Sequence, residues 1–292
     1  MLSEVESETT NAAACVLPKR NLLRTAIGAG LALLGLFASG LAVGQEIWPV
    51  NPALQDGFTL EVGAYAPTVK TTARLDSATL GAGTSISFED DLGLDDRKIQ
   101  AAILGRLRLG ERWRIEGEYF ALNRSGTRVI NRTINFGGNI YPIGIVVNSE
   151  FDSDIYRLSA GYSFIKSTQA ELGVALGLHV TDFTMSLAGA NVAKRTGDAL
   201  APLPTIGLYG SYALTPRWLL SGRVDVFSFS YNDYDGSLVN FVAGVDYRFT
   251  RNFGVGLGYR HVDYDLDVTK SSFSGSVQYE FSGPVLYLVG SF

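Results

Sequence analysis

Charged residues of both signs recur at every second position in two neighbouring stretches: Arg106 and Arg108, then Arg114, Glu116 and Glu118. Single charges follow at Arg157, Glu171, His179, Arg223, Asp225, Asp246, Arg248 and Arg260, each within an otherwise apolar or small-residue run. On a strand, a spacing of two puts side chains on one face. Folding back about Gly110-Glu111-Arg112 brings Arg106 opposite or diagonal to Glu116. Two chemistries suit such a set: a salt-bridged interior that supports a wall, or a narrow passage lined by arginines and open to a small solute. His179 shares the charged face and reads as a member of its network. His261, Asp263 and Asp265 also alternate, but their face carries Val255, Leu257 and Tyr259, so no cleft is implied.

Other chemistry is thin. Glu89, Asp90, Asp91, Asp95 and Asp96 crowd one stretch that suits a divalent cation or, more simply, a solvated loop. Gly254-Val255-Gly256-Leu257-Gly258 is a strand with every second residue small, not a dinucleotide fingerprint. No cofactor, metal or catalytic residue is expected. The net charge of −5 contains no basic block, so no nucleic-acid partner is expected either.

The elements that position these charges are strands. Hydrophobic residues make up 46% of the 292 residues, yet only one stretch is long and apolar enough to span a bilayer as a helix. Beyond it, apolar residues recur with period two. Ten strands are predicted, over 57–66, 98–109, 113–123, 154–165, 170–182, 205–214, 218–230, 238–249, 253–263 and 283–292. Their joins alternate between short turns and long loops, such as 110–112 against 124–153, which is the topology of outer-membrane barrels. The predicted fold is all-β: an antiparallel up-and-down transmembrane barrel of ten strands, with eight or twelve as alternatives. Short turns and both termini fall in the periplasm, and long loops outside. Trp113, Trp218, Phe164, Tyr212, Tyr247, Phe249 and Phe253 cluster near one end of the strands and are expected to form an interfacial girdle. Tyr65, Tyr119, Tyr156 and Tyr259 are expected at a second, outer level.

The first 44 residues read as an address. Lys19, Arg20 and Arg24 precede an apolar run, and Ala42-Val43-Gly44 supplies small residues for cleavage before Gln45. Residues 1–15 are foreign to such a leader, and translation is expected to begin near Val16. The lone Cys15 would leave with the leader, so neither a disulfide nor a thiol site is expected in the mature chain. Residues 45–56, with Pro49 and Pro52, are expected to be a flexible periplasmic lead-in to a barrel of 57–292.

Phe292 ends the chain, with Leu286, Leu288 and Gly290 on the same face. This resembles the terminal strand signal of bacterial outer-membrane proteins, although Gly290 stands where a bulky residue is usual. Leader, girdle, loop pattern and terminus together resemble the small outer-membrane β-barrel superfamily, the OmpA- and OmpW-like barrels. That resemblance implies outer-membrane lipids and lipopolysaccharide as surroundings, and the barrel-assembly machinery as the reader of Phe292. Outer-membrane proteases with ten strands use acidic residues and a histidine near the rim, which keeps His261, Asp263 and Asp265 as a candidate. Three functions stay open: a non-enzymatic envelope or surface-interaction role, a narrow solute channel, and a rim-located hydrolase.

Overall fold

The computed structural model describes residues 48–76, 83–136, 139–190, 192–231, 234–270 and 273–292; the expected leader, 1–44, lies outside them. Fourteen strands follow a short 3-10 turn: β1 (Phe58–Tyr65), β2 (Thr68–Leu75), β3 (Ile86–Ser87), β4 (Gln100–Leu109), β5 (Trp113–Val129), β6 (Ile134–Phe136), β7 (Asn139–Tyr141), β8 (Val146–Lys166), β9 (Ala170–Gly189), β10 (Val192–Ala213), β11 (Trp218–Tyr231), β12 (Tyr234–Arg248), β13 (Phe253–Lys270) and β14 (Phe273–Ser291). Ten of them form the wall in the order β1-β4-β5-β8-β9-β10-β11-β12-β13-β14, and β14 pairs back with β1 to close it. All ten predicted strands are wall strands, and the predicted ten-strand antiparallel barrel is the observed fold.

The remaining strands belong to one end. Where β1 stops, the chain steps aside at Ala66-Pro67 and resumes as β2, which pairs with the continuation of β14 from Ser282 to Gly275. Gly283 stands opposite this step; a Cβ there would sit 2.3 Å from the Ala66 carbonyl oxygen, so a side chain has no room. β2 in turn pairs with β3 through two residue pairs, Thr72 with Ser87 and Ala73 with Ile86. The strands overshoot the prediction mainly at the loop end: β8, β9 and β10 run 21, 20 and 22 residues, about twice what a tilted membrane crossing needs.

In and out alternate as the period requires. On β9, Val174, Leu176 and Leu178 are exposed, whereas Glu171, Ala175, His179 and Thr181 are buried. The interior is filled in layers. At the turn end, Pro52–Leu54 tucks into the barrel mouth, with Ala53 and Leu54 against Ala213 and Leu219. Asn51 caps this turn by accepting from the Ala53 N–H at 3.1 Å, Lys166 donates to the Leu54 carbonyl, and Asp56 pairs with Arg251 at 3.1 Å. The described part of the segment expected to be a flexible lead-in, 48–56, is thus a folded stopper, because Leu54 finds an apolar seat that a strand-only reading cannot foresee.

A charged layer lies next. Above it Tyr65, Phe120, Phe151, Phe183, Tyr264, Tyr279 and Phe281 fill the lumen, with centroid separations such as 5.7 Å for Tyr65–Phe120 and 5.0 Å for Tyr279–Phe281. Tyr65, expected in the outer girdle, therefore points inward and is 1% exposed. Phe88, Leu92, Leu94, Ile134 and Tyr141 from the loops cover this aromatic layer.

Candidate functional site

The charged layer is built by the period-two faces of β1, β4, β5, β8, β9 and β11–β14. Glu116 is its centre: Arg106 and Arg223 donate at 2.6 and 2.5 Å, and Arg157 and Arg114 approach at 3.3 Å. Glu118 accepts from Arg157 at 2.9 Å and from Arg260. Asp225 takes a forked pair from Arg223 and a hydrogen bond from Asn240 at 2.9 Å. Nearer the turns, Glu171 accepts two bonds from Arg108, one from Lys166 and one from Ser163. Asp246 accepts from the Tyr287 hydroxyl at 2.5 Å, Arg248 donates to Ser291 at 2.8 Å, and His179 Nδ1 lies 3.3 Å from Thr205 Oγ1.

Every charge singled out in the sequence for the interior faces inward. The register pairs Arg106 directly with Glu116 and Glu118 with Arg157. Sequence reasoning missed Glu61, which lies 3.8 Å from Arg106, and the tyrosines that complete the layer. Glu61 shares the parity of Thr59 and Gly63 on the first strand, a signal that was available. The tyrosines explain the small residues: a Cβ at Gly173 would lie 2.3 Å from the Tyr209 hydroxyl, and one at Gly256 would lie 2.2 Å from Tyr287. Those glycines receive rings from neighbouring strands, and Arg114 stacks over Tyr209 with its guanidinium carbon 3.0 Å from the ring centre. Between these groups remains a cavity of about 100 Å³, bordered by Arg106, Arg114, Glu116, Glu118, Arg157 and Tyr287 among others. It is large enough for a few waters.

On the outside, Trp113, Trp218, Phe164, Tyr212 and Phe249 are exposed near the turn end, with Tyr247 and Phe253 half-buried. They pack in couples: Trp113 on Tyr162 at 5.0 Å, Trp218 on Tyr247 at 4.8 Å, and Phe253 on the terminal Phe292 at 5.8 Å. Further along, Tyr119 and Tyr156 pair at 4.9 Å, and Tyr119 donates to Asp154 at 2.8 Å.

The other candidates do not assemble. Within the acidic stretch, Glu89 is bound by Arg124 and the Thr71 N–H, and Asp91 by Arg132 and the Ser87 N–H. Among the described residues no group of three or more potential metal ligands converges. His261 pairs across the sheet with Phe241 and Ser282, and Asp263 with Val239 and Glu280, on the outward face. At the loop end, hydrogen bonds from Ser186 and Lys194 hold the Glu150 carboxyl below its ordinary range.

A closed wall with an outward aromatic girdle and an inward ion-pair layer is matched by a family model: the outer membrane protein beta-barrel domain, over residues 57–281. The chain belongs to that family. It is a bacterial outer-membrane β-barrel. Among solved structures, it is similar to the outer membrane protease OmpT from Escherichia coli, at 12% identity and a TM-score of 0.54, over 85% of this chain and 100% of that one. It is also similar to the translocator domain of the autotransporter NalP from Neisseria meningitidis (11%, TM-score 0.43, over 92% and 98%) and to Neisserial surface protein A (15%, TM-score 0.30, over 81% and 97%). At such identities the likeness to OmpT concerns the fold alone. No curated protein matches the sequence.

Proposed function

We propose that this barrel is a non-enzymatic envelope protein with a sealed interior, which acts through its outer surface and loops. The observation that carries the reading is the threefold closure of the lumen: the Pro52–Leu54 stopper, the ion-pair layer and the aromatic layer lie in series. A channel needs a continuous polar path, and the rings of Phe151, Phe183 and Tyr279 interrupt one. The turn end with both termini faces the periplasm and the long strand extensions face outward. Outer-membrane lipids and lipopolysaccharide surround the wall, and the assembly machinery reads Phe292 during insertion. The outward face of His261 and Asp263 favours a role other than hydrolysis.

Planar-bilayer recording on refolded barrel tests this. The expected result is no unitary conductance at any holding potential. Regular ohmic steps would overturn the sealed reading and favour the second one, a narrow passage for small solutes through the cavity beside Glu116.

A further inference from the structure

The wall is not paired along its whole height. The ladder between β10 and β11 runs from Ala213–Leu219 to Ile206–Val226 and stops there. Beyond it β10 continues to Val192 with β9 alone, and β11 continues to Tyr231 with β12 alone. Beyond that point the two hairpins are not paired with each other, which leaves a seam between them.

The cause is in the sequence. The Ala213 N–H bonds the Gln169 carbonyl of the β9 side, and the Leu214 N–H bonds the Trp218 carbonyl of the β11 side. Backbone polar groups alternate along a strand, so the even positions of β10 aim theirs at β11. The next even positions past Ile206 are Pro204 and Pro202, which have no N–H to give. The register, if continued, would have set them against Ser228 and Ser230.

The seam opens at membrane depth. Ile206 is eight positions from Leu214, or roughly 20 Å above the turn end at about 3.3 Å per residue and a tilt near 40°. The apolar band of such barrels is about 25 Å tall. Apolar side chains dominate the rims: Leu200, Ile206, Val226 and Phe229 are 65, 64, 46 and 49% exposed, with Ser228 and Ser230 exposed between and beside them on β11. Phe229 has the inward parity of Asp225 and Phe227, stacks on Phe227 with ring centroids 6.2 Å apart, and is exposed beside the seam. Behind the seam lie Leu203 and Phe227, which belong to the aromatic layer.

We infer that the β10–β11 seam seats one acyl chain of a membrane lipid, from the leaflet at the loop end. A strand of another protein is a poor occupant, because the two prolines deny it the donors that strand addition uses. A polar solute is a poorer one, because apart from Ser228 and Ser230 the named rim residues are apolar. A hydrocarbon chain matches the depth at which the gap starts and the mainly apolar lining of its rims.

Photo-crosslinking tests the seat. The barrel is refolded into phosphatidylcholine vesicles with p-benzoylphenylalanine at Phe227, at Phe183 (inward, on a strand paired on both sides) or at Leu176 (outward and 69% exposed). Folding is checked by heat-shifted gel mobility, and Leu203 replaces Phe227 if that variant does not fold. Intact mass should show one added phospholipid at 227 and at 176 but not at 183. With Pro202→Val and Pro204→Val together, the yield at 227 should fall severalfold, to that of 183. A yield at 227 no higher than at 183, or one that the valine pair leaves unchanged, overturns the inference.

Discussion

Glu116→Gln is the most informative perturbation of the interior. Glu116 is 2% exposed and receives four guanidinium groups, so its neutralisation leaves each of them to its other partners. Arg106 keeps Glu61 at 3.8 Å, Arg157 keeps Glu118 at 2.9 Å and Arg223 keeps Asp225 at 2.6 Å. Arg114 makes no other ion pair among the described residues and retains only the face of Tyr209. Breaking a buried pair typically costs 3–5 kcal/mol, and the adjacent cavity lets water soften that, so about 3 kcal/mol is expected. Reversible urea unfolding in vesicles, followed by tryptophan fluorescence, gives the number. Arg114→Met in the same chain should recover part of the loss, with a coupling of about 1–2 kcal/mol in the double-mutant cycle. Glu150→Gln serves as the control: its pair with Lys194 is exposed at the loop end, and no measurable change is expected. If Glu116→Gln cost under about 1 kcal/mol, or if the two substitutions were additive, the charged layer would be solvated space rather than a coupled network.

Three other expectations follow from the same geometry. Leu176→Arg, at an outward position near mid-strand, should cost about 2–4 kcal/mol and lower the folded fraction in vesicles, and unchanged insertion would mean that the face assignment is wrong. Gly173→Ala should push Tyr209 from its seat and break its 3.0 Å contact with Ser163, costing about 1–3 kcal/mol, measured by the same unfolding assay. Leu54→Ser should remove about 2 kcal/mol of burial and expose residues 48–56 to protease, while leaving conductance absent because the aromatic layer still closes the lumen.

Strand number, closure and the two faces were legible because one parity is punished by lipid: Leu172, Val174, Leu176, Leu178 and Val180 could not all face water. What filled the lumen was less legible. Phe120 and Leu122 follow Glu118 at the same parity, so their inward direction was available, but attention to charge hid an apolar upper half. Tyr65 illustrates the limit. An aromatic at a strand end suits a girdle or a lumen, and it is the parity that Tyr65 shares with Glu61 on β1 that turns it inward. The stopper was illegible for a different reason. Pro49 and Pro52 argue against regular structure, yet a 3-10 turn begun by Pro52 needs none, and its stability comes from Ala213 and Leu219 far along the chain. The seam could have been read from Pro202 and Pro204, had their N–H direction been counted from the turn at Thr215.

The two apolar closures bear on what the charged layer is for. Sealing it from bulk water strengthens each ion pair but raises the desolvation cost of all of them, so net stability is a weak reason to keep it. Specificity is a better one. A slip of two residues preserves the in–out pattern and would leave the lipid face content. Between β5 and β8 such a slip would set Glu118 against Ser159 or Ile155 in place of Arg157, and in one direction between β4 and β5 it would set Arg106 against Arg114. Each error strands a charge in a closed lumen, whereas the aromatic layer alone would tolerate it. On this reasoning the lumen charges disfavour slipped registers that the outer face would tolerate.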